Sequence, residues 1–137
     1  MKQLFSSRIS IGATNFALFV LRVATSILMI PHGYDKLVKF SAMKTQFMPF
    51  MGLNSATTLG LVVFAELFCS ILLVLGFATR LATIPLIINM VVALVIVLGG
   101  DVFGKGEPAA LFLIPYIVLL FTGPGAYSID AMIKKTK

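Results

Sequence analysis

Apolar residues come in four long runs along the chain, at about 13–38, 56–77, 81–98 and 108–122, separated by short polar stretches. None alternates in the period-two manner of a membrane barrel strand. A backbone that crosses lipid must satisfy its own hydrogen bonds, and a helix does so within one segment. Roughly 20 apolar residues cover a hydrocarbon layer of ~30 Å. The pattern therefore predicts an all-α polytopic membrane protein, an antiparallel bundle of four transmembrane helices in a single domain over 1–137. The fourth run is the shortest, since about 15 residues reach only ~22 Å at 1.5 Å per residue. It also contains Pro115, so a kink, an earlier start or a locally thinned bilayer is expected there. Pro85 is expected to bend the third helix in the same way.

Local chemistry supports the segmentation. Asn54 and Ser55 suit the start of the second helix, Gly76 suits its end, and Pro108 suits the first turn of the fourth. In the connection at 39–53, Phe40, Met43, Phe47 and Met51 recur every three or four residues, with Lys39, Lys44 and Gln46 elsewhere. That spacing predicts an interfacial helix or turn lying on the membrane, interrupted near Pro49.

Composition removes the alternative of a soluble domain. Of 137 residues, 59% are hydrophobic and 12% charged, against roughly one quarter charged in soluble domains. A soluble chain this short could not cover so much apolar surface. The length leaves no room for a separate soluble catalytic domain, and the lone Cys69 reads as a small packing residue that cannot form an internal disulfide. The net charge of +6 points to topology and anionic lipid rather than to nucleic acid. Four spans would gather Lys2, Arg8, Arg80, Lys134, Lys135 and Lys137 on one side, and Lys36, Lys39, Lys44 and Lys105 with Asp35, Asp101 and Glu107 on the other. The asymmetry favours both termini in the cytoplasm. The basic start and apolar run are expected to be a retained first span rather than a cleaved signal peptide, because the run is long and contains Arg22.

Charged side chains in lipid cost about 2.5–3.5 kcal/mol each on insertion scales and turn toward the bundle interior to find partners. Counting residues from the run ends places Arg22 ~13 Å and Glu66 ~15 Å into the layer from opposite sides, with Asn89 ~12 Å and Tyr116 ~9 Å from the cytoplasmic side. Arg22, Glu66, Asn89 and Tyr116 are therefore expected to form one mid-membrane polar layer, with an Arg22–Glu66 pair at its centre. Such a layer either fixes helix register or lines a cavity for a proton, an ion or a quinone-like molecule. A second group, His32, Asp35 and Lys36, falls within one turn at the outer end of the first helix. It suits capping and anchoring, or substrate contact at an outer mouth. One histidine and one cysteine without a carboxylate cluster predict no metal site. No phosphate loop, nucleophile elbow, haem motif or dinucleotide fingerprint is present in the sequence.

Three stretches resemble the signatures of one family. "LRVATSILMIPHGYDKLVKF" looks like the first-helix signature of the DoxX family, an arginine preceding a helix that ends in a glycine and a lysine-leucine pair. "ELFCSILLVLGFATRLA" resembles its second-helix pattern, and "GPGAYSID" its C-terminal one. The resemblance implies a four-helix protein of the bacterial inner membrane and gives Arg22, Gly33, Lys36, Glu66, Gly76, Arg80, Gly123, Gly125 and Asp130 the status of motif positions. Where the family often has paired glycines after the glutamate, this chain has Cys69 and Ser70, so helix contact there is expected to be looser. Some relatives form the membrane subunit of a thiosulfate:quinone oxidoreductase, and others join complexes of thiol or oxidant defence. The resemblance thus implies a membrane subunit or scaffold of a redox complex, with a quinone, a redox partner protein and a homo-oligomer as the expected company, and the absence of a cofactor motif weighs against independent catalysis. The alternatives are a small oligomeric transporter or channel and a purely structural membrane protein.

Overall fold

The computed structural model describes residues 4–136. Helix α1 (Ile11–Val38) begins where Ser10 accepts a hydrogen bond from Ala13 N. At 28 residues it reaches ~42 Å, longer than a hydrocarbon layer. A short α2 (Phe40–Met43) follows. Helix α3 (Ser55–Leu75) is capped by Asn54, whose side chain accepts from Thr57 N at 2.8 Å. Next come α4 (Thr79–Val97), α5 (Glu107–Thr122) and α6 (Ile129–Lys135). The described residues contain no strand.

Helices α1, α3 and α4 are long and apolar enough to cross a membrane, and α5, with 16 residues, is a shorter apolar helix of ~24 Å. The earlier start expected for the fourth run amounts to one residue, Glu107, with Pro108 in the first turn. Pro31, Pro85 and Pro115 all lie inside helices that continue past them. The connection at 39–53 is helical only over Phe40–Met43 and otherwise turn and coil. Two segments depart from α geometry: α3 is π-helical over Phe64–Cys69 and α4 over Ala93–Val97. Neither is visible in a hydropathy pattern.

The packing is inverted relative to a water-soluble domain. Phe16, Ile27, Leu61, Phe64, Ile88 and Phe121 are exposed on the outside, where lipid would solvate them. Inside, Met29, Cys69, Leu73, Leu86 and Met90 share the core with Arg22, Ser26, Ser70, Thr79, Thr83 and Tyr116, all six at 0% exposure. Small and hydroxylated side chains are the usual interior of membrane helix contacts. Gly33 lies against Glu66 and Leu67, and Arg22 against Leu73 and Val74, so α1 and α3 run in opposite directions.

A C-terminal segment locks one end. Helix α3 closes with Gly76 in the left-handed region (φ +69°), Phe77 N donating to Leu72 O and Gly76 N to Leu73 O, the paired bonds of a Schellman cap. Asp130 then accepts from Ala78 N at 2.7 Å and Thr79 N at 2.9 Å, capping α4 from a distant part of the chain, while its own amide donates to Gly76 O at 2.9 Å. Ala126 N donates to Asn15 Oδ1 at 3.0 Å. The first half of α1, the 76–79 turn and the tail therefore share one end, as a grouping of Arg8, Arg80, Lys134 and Lys135 requires. Lys2 and Lys137 lie outside the described residues.

Candidate functional site

Glu66 sits within the π-helical stretch of α3 and is 5% exposed. Its neighbour across the interface is Gly33: a Cβ there would stand 2.6 Å from Leu67 N and 2.8 Å from Glu66 C. The absent side chain lets α1 touch the widened α3 backbone. One turn on from Gly33, on the same face of α1, Lys36 reaches in, and its ammonium lies 2.7 Å from Glu66 Oε2. From α4, Asn89 Nδ2 donates to Glu66 Oε1 at 2.9 Å. Three helices thus hold one carboxylate, each of its oxygens with a donor. π-helical turns are rare and recur at functional sites because they displace a side chain from the regular helical face.

This carboxylate forms part of the wall of an open cleft of about 180 Å³, whose other walls include Met29, His32, Met90, Lys105 and Phe112. His32 meets the Phe112 ring edge-on at 5.8 Å, and Phe112 stacks on Tyr116 at 6.4 Å. A larger cleft of about 450 Å³ adjoins it, sharing Pro108 and Phe112. The site combines a paired carboxylate, basic groups at its edge, an aromatic row and thioether side chains. It can hold a small flat or amphipathic molecule by apolar contact and orient it by a few polar groups.

The expected polar layer does not form as one unit. Arg22 does not pair with Glu66. Its Nη1 donates to Leu73 O at 2.5 Å and Val74 O at 2.7 Å, and its Nη2 to Tyr127 O at 2.5 Å. The guanidinium also lies 5.7 Å from the centre of the Phe19 ring. The physical reason is register. Counting inward from each run start assumed that the first and second helices enter at matching levels, but α1 overhangs α3 at the tail end. Glu66 consequently stands opposite Gly33, 11 residues or ~16 Å along α1 from Arg22. Arg22 instead meets the carbonyls that end α3, where a cation is favoured by the helix dipole.

Asn89 is with Glu66 as the layer required, and Tyr116 is buried behind it. The outer-mouth group separates: Lys36 turns to Glu66, His32 lines the cleft, and Asp35 forms an exposed pair with Lys39 at 2.9 Å. Among the motif positions, Gly76, Arg80, Gly123, Gly125 and Asp130 belong to the tail lock. A Cβ on Gly76 would lie 2.5 Å from Ser128 Cβ, Gly123 and Gly125 have φ of +77° and +81°, and Arg80 Nη2 donates to Phe121 O at 3.2 Å. Met29 and Phe112 carry no signal in the sequence, and Lys105 stands out there only as a loop charge. The usable signal was the i, i+3 spacing of Gly33 and Lys36. Among the described residues no group of three His, Cys, Asp or Glu side chains could hold a metal ion.

The sequence model of the DoxX family matches residues 17–99, a stretch that contains Arg22, Gly33, Lys36, Glu66 and Asn89. An uncharacterised membrane protein of Mycobacterium tuberculosis is 36% identical, across 51% of this chain and 52% of its own. The chain thus spans about half the length of that curated relative. No solved structure matches.

Proposed function

The chain belongs to the DoxX family of membrane proteins, and from that premise we propose that it is a membrane subunit or scaffold of a redox complex whose Glu66 cleft receives the head of a lipid-soluble quinone. The observation that carries this reading is the buried Glu66 carboxylate, held by Lys36 and Asn89 on a π-helical turn beside an apolar cleft. A quinone head is a flat ring with hydrogen-bond-accepting oxygens on opposite edges, and it needs donors and an apolar or aromatic wall. Lys105 and His32 line the cleft as donors, and Phe112 with the thioethers of Met29 and Met90 supplies the wall. The donor set fits the group. When bound, the quinone supplies the two-electron chemistry. The residues of this chain seat the ring against the apolar wall and hold the Glu66 carboxylate in place through Lys36 and Asn89. Electrons come from a partner protein.

In the same reading, α1, α3, α4 and α5 cross the bacterial inner membrane in alternating directions, with both termini in the cytoplasm and the cleft toward the outer face. The cleft side carries Lys36, Lys39, Lys44 and Lys105 against six Lys and Arg on the other side, the asymmetry behind this orientation. A transporter or channel is the weaker alternative, because Arg22, which such a pathway was expected to use beside Glu66, is instead bound to three backbone carbonyls. The test is purification in mild detergent followed by native mass spectrometry. A species carrying a partner protein and a quinone-sized mass is expected, whereas the bare chain alone, as a monomer or homo-oligomer, would contradict the proposal.

A further inference from the structure

The second cleft, of about 450 Å³, takes its walls from α1, α5 and the loop that precedes α5. Sequence spacing makes this seam. Thr25, Leu28 and His32 are three and four residues apart on α1, and Leu111 and Phe112 stand three and four residues past Pro108 on α5, so each set shares one helix face. Leu28 is 64% and Leu111 60% exposed, while Thr25 is buried. The groove therefore opens outward, where lipid would lie, and Thr25 closes its inner side.

Pro108 and Phe112 belong to both clefts. Phe112 is fixed between His32, edge-on at 5.8 Å, and Tyr116, stacked at 6.4 Å, and so forms a partition between them. Size and polarity divide the work. Ligand pockets span roughly 300–1,000 Å³; the Glu66 cleft, at about 180 Å³, falls below that range and the second cleft falls inside it. Glu66, His32 and Lys105 line the first, whereas of the described residues lining the second Glu107 alone is charged, in the first turn of α5.

We propose that the α1–α5 groove holds the start of the ligand's isoprenoid tail and is the lateral entrance through which the ligand reaches the Glu66 cleft from lipid. This rests on that cleft receiving a quinone head. The tail passes Phe112, lies between Leu28 and Leu111 and continues into the bilayer. From Glu107 to Leu111 the α5 wall is ~6 Å long, so the groove takes the first isoprene units and leaves the rest in lipid. Lipid is as apolar as leucine, so the groove governs the geometry of entry more than affinity.

The test uses the full chain in phosphatidylcholine nanodiscs and two probes, a benzoquinone bearing one prenyl unit and the same ring without it. With a photoreactive diazirine at the end of the prenyl unit, adducts mapped by peptide mass spectrometry are expected on 25–28 and 107–112 and to be suppressed by excess unlabelled prenyl quinone. Adducts spread over lipid-facing positions such as Phe16, Leu61 and Phe121, without suppression, would overturn the proposal. Calorimetric titration of Leu28→Trp combined with Leu111→Trp supplies the second readout. Relative to the ring alone, affinity for the prenyl form is expected to fall at least about tenfold, because the widened side chains obstruct the tail; the ratio found in the unmodified chain, retained in this variant, would overturn the groove. Saturable binding of the ring with scattered adducts counts against the groove alone. Saturable binding of neither probe to the unmodified chain overturns the Glu66 cleft reading and the groove with it.

Discussion

Removing the Lys36 ammonium leaves Glu66 buried with Asn89 as its remaining partner. Stripping one member from a buried ion pair costs about 3–5 kcal/mol, because the other charge is left uncompensated. The Lys36 side chain retains 23% exposure, so Lys36→Met is expected to destabilise by about 2–3 kcal/mol, at or below the low end of that range. Adding Glu66→Leu to Lys36→Met should recover most of the loss, and a thermal unfolding series reads both. Asp35, in its solvent-exposed pair with Lys39, is the control: Asp35→Ser should change stability by less than ~1 kcal/mol. Which residues would be buried and charged was legible in the sequence, because a charge inside an apolar run is conspicuous. Their pairing was not. It depends on how far α1 slides past α3, a quantity set by the close approach at Gly33, and hydropathy carries no information about sliding.

Among the helices, the same approach gives a clean contrast between two glycines. At Gly33 a methyl group would meet backbone at 2.6 Å, so Gly33→Ala must push α1 off α3 and is expected to cost about 1–3 kcal/mol, the usual range for overpacking. At Gly60, within α3, nothing lies within 4 Å of an added Cβ, so Gly60→Ala should be neutral or stabilise by up to about 1 kcal/mol through helix propensity. Equal losses at both positions would contradict close packing at Gly33. The apolar runs predicted the long helices to within two residues at each end, since length and hydropathy alone set a span. The π-helical turns at Phe64–Cys69 and Ala93–Val97 were not legible, because the choice between α and π geometry is made by packing and not by residue type. The segment at 39–53, expected as a helix or turn interrupted near Pro49, is helical over Phe40–Met43, turn over 44–46 and broken at 48–50.

At the scale of the whole molecule, two polar centres stand at different levels of one bundle. Glu66, held by Lys36 and Asn89, lines the cleft, while Arg22, Gly76 and Asp130 bind the C-terminal tail to the ends of α3 and α4. The tail lock explains "GFATRLA" and "GPGAYSID" as two halves of one contact. Asp130→Ala removes both donor contacts at the start of α4 and is expected to cost about 1–2 kcal/mol, the value of a helix cap, and to hasten proteolysis of the tail while leaving ligand binding at the cleft unchanged. That separation makes the cleft testable apart from the scaffold. The most direct measurement is calorimetric titration of the nanodisc-embedded chain with a short-tailed quinone. Saturable one-to-one binding is expected, weakened at least about tenfold in Glu66→Gln, roughly the 1.4 kcal/mol within reach of one hydrogen bond to a charged group, and unchanged in Asp130→Ala. Absence of saturable binding, or equal affinity in Glu66→Gln, would contradict the Glu66 cleft as a quinone site.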